Sequence, residues 1–190
     1  FTFIPDKGFS GPTTFVYTTC DDNESPVCAQ ATVHIFVLKD LSVSIRVYLE
    51  GAIINNSNAK SADNRQLMRD NLRMSPFTGQ SFLPVLDPYS YPTEFINIVS
   101  KFRKIGAGTL SRFHSIEDPS SVLGVTGQNA IVDWVFVELR SKNDHAQIVA
   151  SRSGLLQRDG DVVDTDGVSA LSFPGVAPDS FYVVIRHRNH

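Results

Sequence analysis

Four aspartates crowd one short stretch near the end of the chain: Asp159, Asp161, Asp164 and Asp166, in RDGDVVDTDG. Oxygen ligands on tight, glycine-containing turns suit Ca²⁺, which takes roughly six to eight oxygens. The spacing departs from the EF-hand loop, and no glutamate stands at its closing position. Asp and Gly are also the ordinary residues of hairpin turns. The residues alone leave both readings open, a calcium site or plain turns.

His187 and His190 are the next candidates for metal chemistry. Residues three apart on an extended strand face opposite sides, so these two do not converge. The run Arg186-His187-Arg188 is expected instead to pair with carboxylates: Asp133, Glu138 or the acidic turn. Asp133 stands on an otherwise apolar strand face, where a carboxylate satisfied by arginine or backbone N–H is the expected state. No GxSxG elbow or comparable nucleophile signature occurs. The glycines of IGAG at 105–108 lack phosphate-loop spacing. No enzyme is expected.

Cys20 and Cys28 bracket the turn-rich CDDNESPVC, with strand-like residues on both sides. No histidine or further cysteine offers them metal-ligand spacing, so a hairpin-closing disulfide is expected. In the chain-entropy view, closing so small a loop stabilises by roughly 2.5 kcal/mol. A disulfide also implies an oxidising compartment, hence a secreted chain.

The elements around these residues read as all-β. The chain has 190 residues with 42% hydrophobic content, enough for one or two domains. It is rich in Phe (13) and poor in Met (2), which suits strands better than a helical bundle. A net charge of -3 argues against nucleic acid, and no apolar run is long enough to span a membrane. The chain opens on Phe1 without an initiating Met, as a processed chain or a fragment does.

Residues 1–38 read as three short strands, 1–4, 13–20 and 29–38, the last with Ala31, Val33, Ile35 and Val37 on one face. Phe1, Phe3, Phe15 and Tyr17 then require a facing sheet that this segment does not itself supply. Residues 41–50 read as one strand with Leu41, Val43, Ile45, Val47 and Leu49 inward. Residues 51–128 form a long irregular insertion, with a short helix expected over 62–73 (Leu67, Met68 and Leu72 inward) and a strand-like FINIVSKF at 95–102. Residues 131–140 are apolar on both faces, as in a central strand that buries Trp134. Strands at 146–158 (broken near Gly154), 162–163, 168–173 and 181–187 complete the pattern.

Two resemblances sharpen this reading. The string FTFIPDKGFSGPTTFVYTTCDDNESPVCAQATVHIFVL resembles the closing half of a bacterial Ig-like or cadherin-like repeat, with the front half absent. The string DGDVVDTDGVSALSFPGVAPDSFYVVIRHRN resembles prealbumin-like β-sandwich modules, in which a Pro-containing turn leads into an aromatic-led edge strand. More specifically, VTGQNAIVDWVFVELRS, GLLQRDGDVVDTDGVSAL and FYVVIRHRNH are similar to C-terminal modules of large secreted, multidomain surface proteins of the Bacteroidota type. LRMSPFTGQSFLPVLDPYS resembles them more loosely. These resemblances imply an Ig-like partial sheet (1–38) joined to a β-sandwich domain (41–190), cell-surface or extracellular location, and structural or adhesive work. The expected function is therefore a subunit or module of a surface fibre or adhesin, self-associating by strand complementation through residues 1–38. The alternative is a glycan- or protein-binding module using residues 51–128, with Tyr89 and Tyr91 exposed around a concavity.

Overall fold

The fold is that of a computed structural model, which describes residues 3–4, 6, 9–37, 40–54, 59–73, 78–89 and 114–188. It is all-β. Among the described residues nine strands follow in chain order: β1 (Gly11–Cys20), β2 (Cys28–Val37), β3 (Leu41–Val43), β4 (Ile45–Arg46), β5 (Ile131–Ser141), β6 (Ile148–Gln157), β7 (Asp161–Val163), β8 (Leu171–Phe173) and β9 (Phe181–Arg186). They form a β1-β2 hairpin, a β3-β8 pair and a five-stranded antiparallel sheet in the order β4-β7-β6-β5-β9. Among the described residues one α-helix, α1 (Pro119–Gly124), starts under Asp118, whose carboxylate accepts from Ser120 N (3.1 Å) and Ser121 N (3.3 Å). The Ser120 and Ser121 hydrogen bonds hold this carboxyl below its ordinary range. Its contribution is therefore present at neutral pH and fades as pH falls through that lowered value.

β5 is buried from Ile131 to Leu139 because both of its faces are covered. One face carries Val135, Val137 and Leu139 into a core shared with Leu156, Val162, Leu171 and Phe173. The strand expected at 41–50 lines that core with the five inward residues the alternation predicts. It is split, however: β3 pairs with β8 and β4 with β7, so the chain crosses between sheets at Ser44. The other face of β5 presents Trp134 and Phe136 to Leu83, Tyr89, Ile116, Val122 and Leu123. The described part of the insertion is thus a packed cover for the sheet. A register shift at Val132 moves Ile131 and Val132 onto the faces opposite to those that strict alternation gives.

Several expectations are corrected. Residues 62–73 form turns and isolated bridges rather than a helix. Asn64 sits at φ 64, and the backbone bonds run outward, Met68 N to Arg158 O (2.8 Å) and Arg69 N to Ala52 O (2.8 Å). Met68 and Leu67 are buried as expected, but Leu72 is exposed. β6 runs unbroken through Gly154, which pairs with Val135. That glycine serves close approach: a Cβ there would lie 2.9 Å from Val162 Cγ1 and 3.0 Å from Val163 O. Of the strand expected at 168–173, Leu171–Phe173 forms β8 and Ala170 makes an isolated bridge to Val163. Phe3 and Ile4 lie outside any strand, while Phe1 and Thr2 fall outside the described residues, as do Tyr91, 95–102, 105–108 and His190.

Gly160 marks the acidic turn at φ 93, where a Cβ would lie 2.9 Å from Arg46 Cγ and from Tyr48 Cζ. Gly160→Ala is expected to cost about 1–2 kcal/mol from the left-handed backbone alone. Urea unfolding of the variant against wild type measures it.

Candidate functional site

The charged residues singled out in the sequence separate into three places. The first is a strip of buried carboxylates on β5. Asp133 is 2% exposed and Glu138 1%. Asp133 accepts from Trp134 N (2.8 Å) and from Arg188 Nη2 (2.8 and 3.0 Å to its two oxygens), with His187 Nε2 at 3.1 Å. Glu138 is clamped by Arg140 Nη2 (2.6 Å) and Arg186 Nε (2.8 Å). The pairing expected between the Arg186-His187-Arg188 run and these carboxylates is therefore present. β9 delivers it, because antiparallel pairing of Phe136 with Arg186 and Glu138 with Val184 brings the basic run alongside β5.

The insertion is pinned to the same strip. Trp134 Nε1 donates to Pro84 O (2.9 Å), Tyr89 Oη donates to Trp134 O (3.0 Å), and Arg188 N donates to Tyr89 Oη (3.2 Å). Tyr89 is 4% exposed, so it does not rim a concavity as expected. Burial raises its phenol far above the usual range, which keeps it a neutral donor.

Beside Asp133 and His187 opens a cleft of about 270 Å³, lined also by Leu49, Gly51, Ala52, Arg69, Asn71, Leu72 and Val132. Among the described lining residues the imidazole of His187 is the one aromatic ring. Both carboxylate oxygens of Asp133 are already committed to protein donors, so the Asp133–His187 pair is the cleft's structural floor. Arg69 and Asn71, exposed at its rim, are the polar groups that could meet a ligand. Neither stands out in the sequence, because a polar residue in an irregular segment gives no periodic signal.

The second place is the acidic turn, where the four aspartates diverge. Asp159 and Asp161 both face Arg65 Nη1 (3.4 and 3.1 Å), and Asp161 also meets Arg46 Nε at 2.9 Å. Asp164 pairs with Arg152. Asp166 accepts from Val168 N (2.9 Å) and Ser169 N (2.8 Å), closing its own turn. Among the described residues no group of three acidic, histidine or cysteine side chains is placed to hold a metal ion. The arginines that neutralise this turn come from 46, 65 and 152, separations that no local motif reveals.

The third place is the hairpin. Its strands pair from Gly11 with Val37 to Cys20 with Cys28, and the two cysteines are disulfide-bonded with Cα atoms 4.0 Å apart. Phe15 faces Val33 and Tyr17 faces Ala31 on one side, where Thr13, Ile35 and Val37 are also half-buried. The other side exposes Val16 (58%) and Phe36 (68%). No described residue from 3 to 37 is buried, and among the described strands the hairpin pairs only with itself. Phe3, proposed for the same surface, is 43% exposed.

A two-stranded ribbon is marginal in water by itself. The disulfide should therefore decide whether it is ordered. Cys20→Ser with Cys28→Ser removes roughly 2.5 kcal/mol of chain constraint. Amide exchange across β1 and β2 is expected to become unprotected, while Val135–Leu139 keeps its protection because β5 belongs to a separate sheet. Loss of protection in both places would overturn that independence.

Comparison with protein families, with characterised proteins and with solved structures gives no match to this chain. Its class rests on the fold and the sites themselves: an all-β protein with one disulfide, in which no helix among the described residues is long and apolar enough to cross a membrane.

Proposed function

We propose that this chain is a structural module of an extracellular assembly, a surface fibre or adhesin, and that its N-terminal hairpin completes its sheet with strands from another chain or a neighbouring repeat. One observation carries the reading. The β1-β2 hairpin is a regular, disulfide-locked ribbon that exposes Val16 and Phe36, and among the described residues none of its side chains belongs to either buried core. Main-chain pairing with an added strand would satisfy its open edges, and an added layer would cover the exposed Val16 and Phe36. The disulfide suits an oxidising compartment outside the cell. The buried carboxylates of β5 are held in structural pairs, Asp133 by Arg188 and Glu138 by Arg140 and Arg186.

Electron microscopy and sedimentation of the native chain over a range of concentrations test this. Regular filaments or concentration-dependent oligomers are expected without any added ligand. A chain that stays monomeric throughout would overturn the assembly reading.

The cleft at Asn71 and Arg69 favours a second reading, a binding module for a glycan or protein ligand. That reading requires saturable binding by the monomer that Arg69→Ala abolishes.

A further inference from the structure

The five-stranded sheet ends on one side in β4, only two residues long and held by the Arg46–Asp161 pair. It ends on the other side in β9, where the described residues show none of the devices that normally protect an edge. From Phe181 to Ile185 it carries no charge and no proline, and its register with β5 runs from Ser141–Phe181 to Phe136–Arg186 without a bulge. Among the described residues, no backbone bond leads from Phe181–Arg186 to a loop or to any strand but β5. Tyr182 (56%) and Val183 (45%) are exposed. β9 is an open, apolar template.

The same chain carries a strand suited to it. β2 has no Asp, Glu, Lys or Arg, and its outer edge is likewise unpaired by any named strand. β1 is the poorer donor, since Pro12 lacks an N–H and Gly11 sits at φ 120. The hairpin tip holds Asp21, Asp22 and Glu24, all exposed, with no basic residue between Cys20 and Cys28. At the end of β9, Arg140, Arg186 and Arg188 stand against Glu138 and Asp133, three guanidiniums to two carboxylates. The two surfaces are complementary in charge.

We propose that the open edge of β9 receives strand β2 of a second copy of this chain, antiparallel, with the acidic hairpin tip beside Arg186 and Arg188. The inference rests on the assembly reading above and names its acceptor. Side-chain parity selects the register. Phe181 and Ile185 pack on the core, so the half-buried face of β2 must lie on their side. Setting Val33 opposite Val183 does this, with Ile35 opposite Phe181 and Ala31 opposite Ile185. Thr32 then opposes Val184, and Gln30 opposes Arg186 with the acidic tip just beyond. A slip by one residue would put Thr32 and His34 on the core side. Because the donor and acceptor surfaces differ, the contact is heterologous and propagates into a filament unless its rotation closes a ring.

The test is sedimentation of the full chain at several concentrations and salt levels, for wild type, Val183→Lys on β9 and Val168→Lys as a control on an exposed turn (80%). Wild type and Val168→Lys are expected to associate, less strongly at high salt, and Val183→Lys to remain monomeric. In parallel, Thr32→Cys chains are mixed with Val184→Cys chains under mild oxidation. A mixed covalent dimer is expected, and none when Thr32→Cys meets Val168→Cys. Association that survives Val183→Lys, or an absent Thr32–Val184 cross-link in an associating chain, would overturn β9 as the acceptor while leaving hairpin-driven assembly standing. A wild-type chain that never associates would overturn both.

Discussion

Asp133→Ala is expected to destabilise the sandwich by about 3–5 kcal/mol, the range for removing one partner of a buried ion pair. The Asp133 side chain is 3% exposed, whereas Arg188 keeps 29%, which places the effect toward the lower end. Removal strands the Arg188 guanidinium and leaves Trp134 N without its acceptor in the middle of the most buried strand. The Lys142–Asp179 pair is the contrast: it is shorter, at 2.6 Å, but its side chains are 50% and 48% exposed. Solvent screening and side-chain entropy cancel most of an exposed pair, so Asp179→Ala should unfold with wild type. Urea midpoints for the two variants decide the matter. Equal effects would mean that the Asp133 clamp is not what fastens the end of β9 to β5.

Trp134→Ala is expected to cost a similar amount, about 3–5 kcal/mol, from lost burial and the cavity left behind. Trp134 is fully buried between β5 and the insertion, and its Nε1 holds Pro84 O at 2.9 Å. The loss therefore has a local signature as well as a global one. Amide exchange at residues 83–89 should rise more than at the β3–β8 pair, which packs on the opposite face of the sheet. A cost under about 1 kcal/mol would show that the site collapses around the deletion, contrary to the packing described.

The core was legible where physics is local and periodic. Apolar residues on both faces of 131–140 required cover on both sides, and β5 has it. The alternation from Leu41 to Leu49 predicted which side chains turn inward, but not that the strand divides between two sheets. That division depends on partners more than a hundred residues away, β7 and β8. The expected helix over 62–73 failed because Leu67, Met68 and Leu72 fit a helical stripe by chance. The backbone there is claimed by Ala52 and Arg158, contacts with no trace in a local window.

The sites divide along the same line. The Cys20–Cys28 bridge and the pairing of Arg186, His187 and Arg188 with carboxylates followed from residue chemistry. In the acidic turn, aspartates that look like a ligand set in one dimension are paired with Arg46, Arg65 and Arg152 in three. Tyr89 looked like a surface aromatic in a Pro-rich loop, yet its hydroxyl bonds to β5 and its ring lies 5.6 Å from that of Phe136. The β9 edge was foreshadowed by an aromatic-led strand after a Pro-containing turn. Its lack of protection appears only once its single neighbour is known.

The most direct test of the central claim is amide hydrogen exchange of the hairpin, read residue by residue at low and high protein concentration. If β1 and β2 complete their sheet with another chain, Thr13–Tyr17 and Ala31–Ile35 have only the protection of the hairpin itself when dilute. They gain at least tenfold protection when concentrated, where tenfold corresponds to about 1.4 kcal/mol of added stability, while β5 is unchanged. Hairpin amides that exchange at the same rate across the whole range would contradict strand complementation.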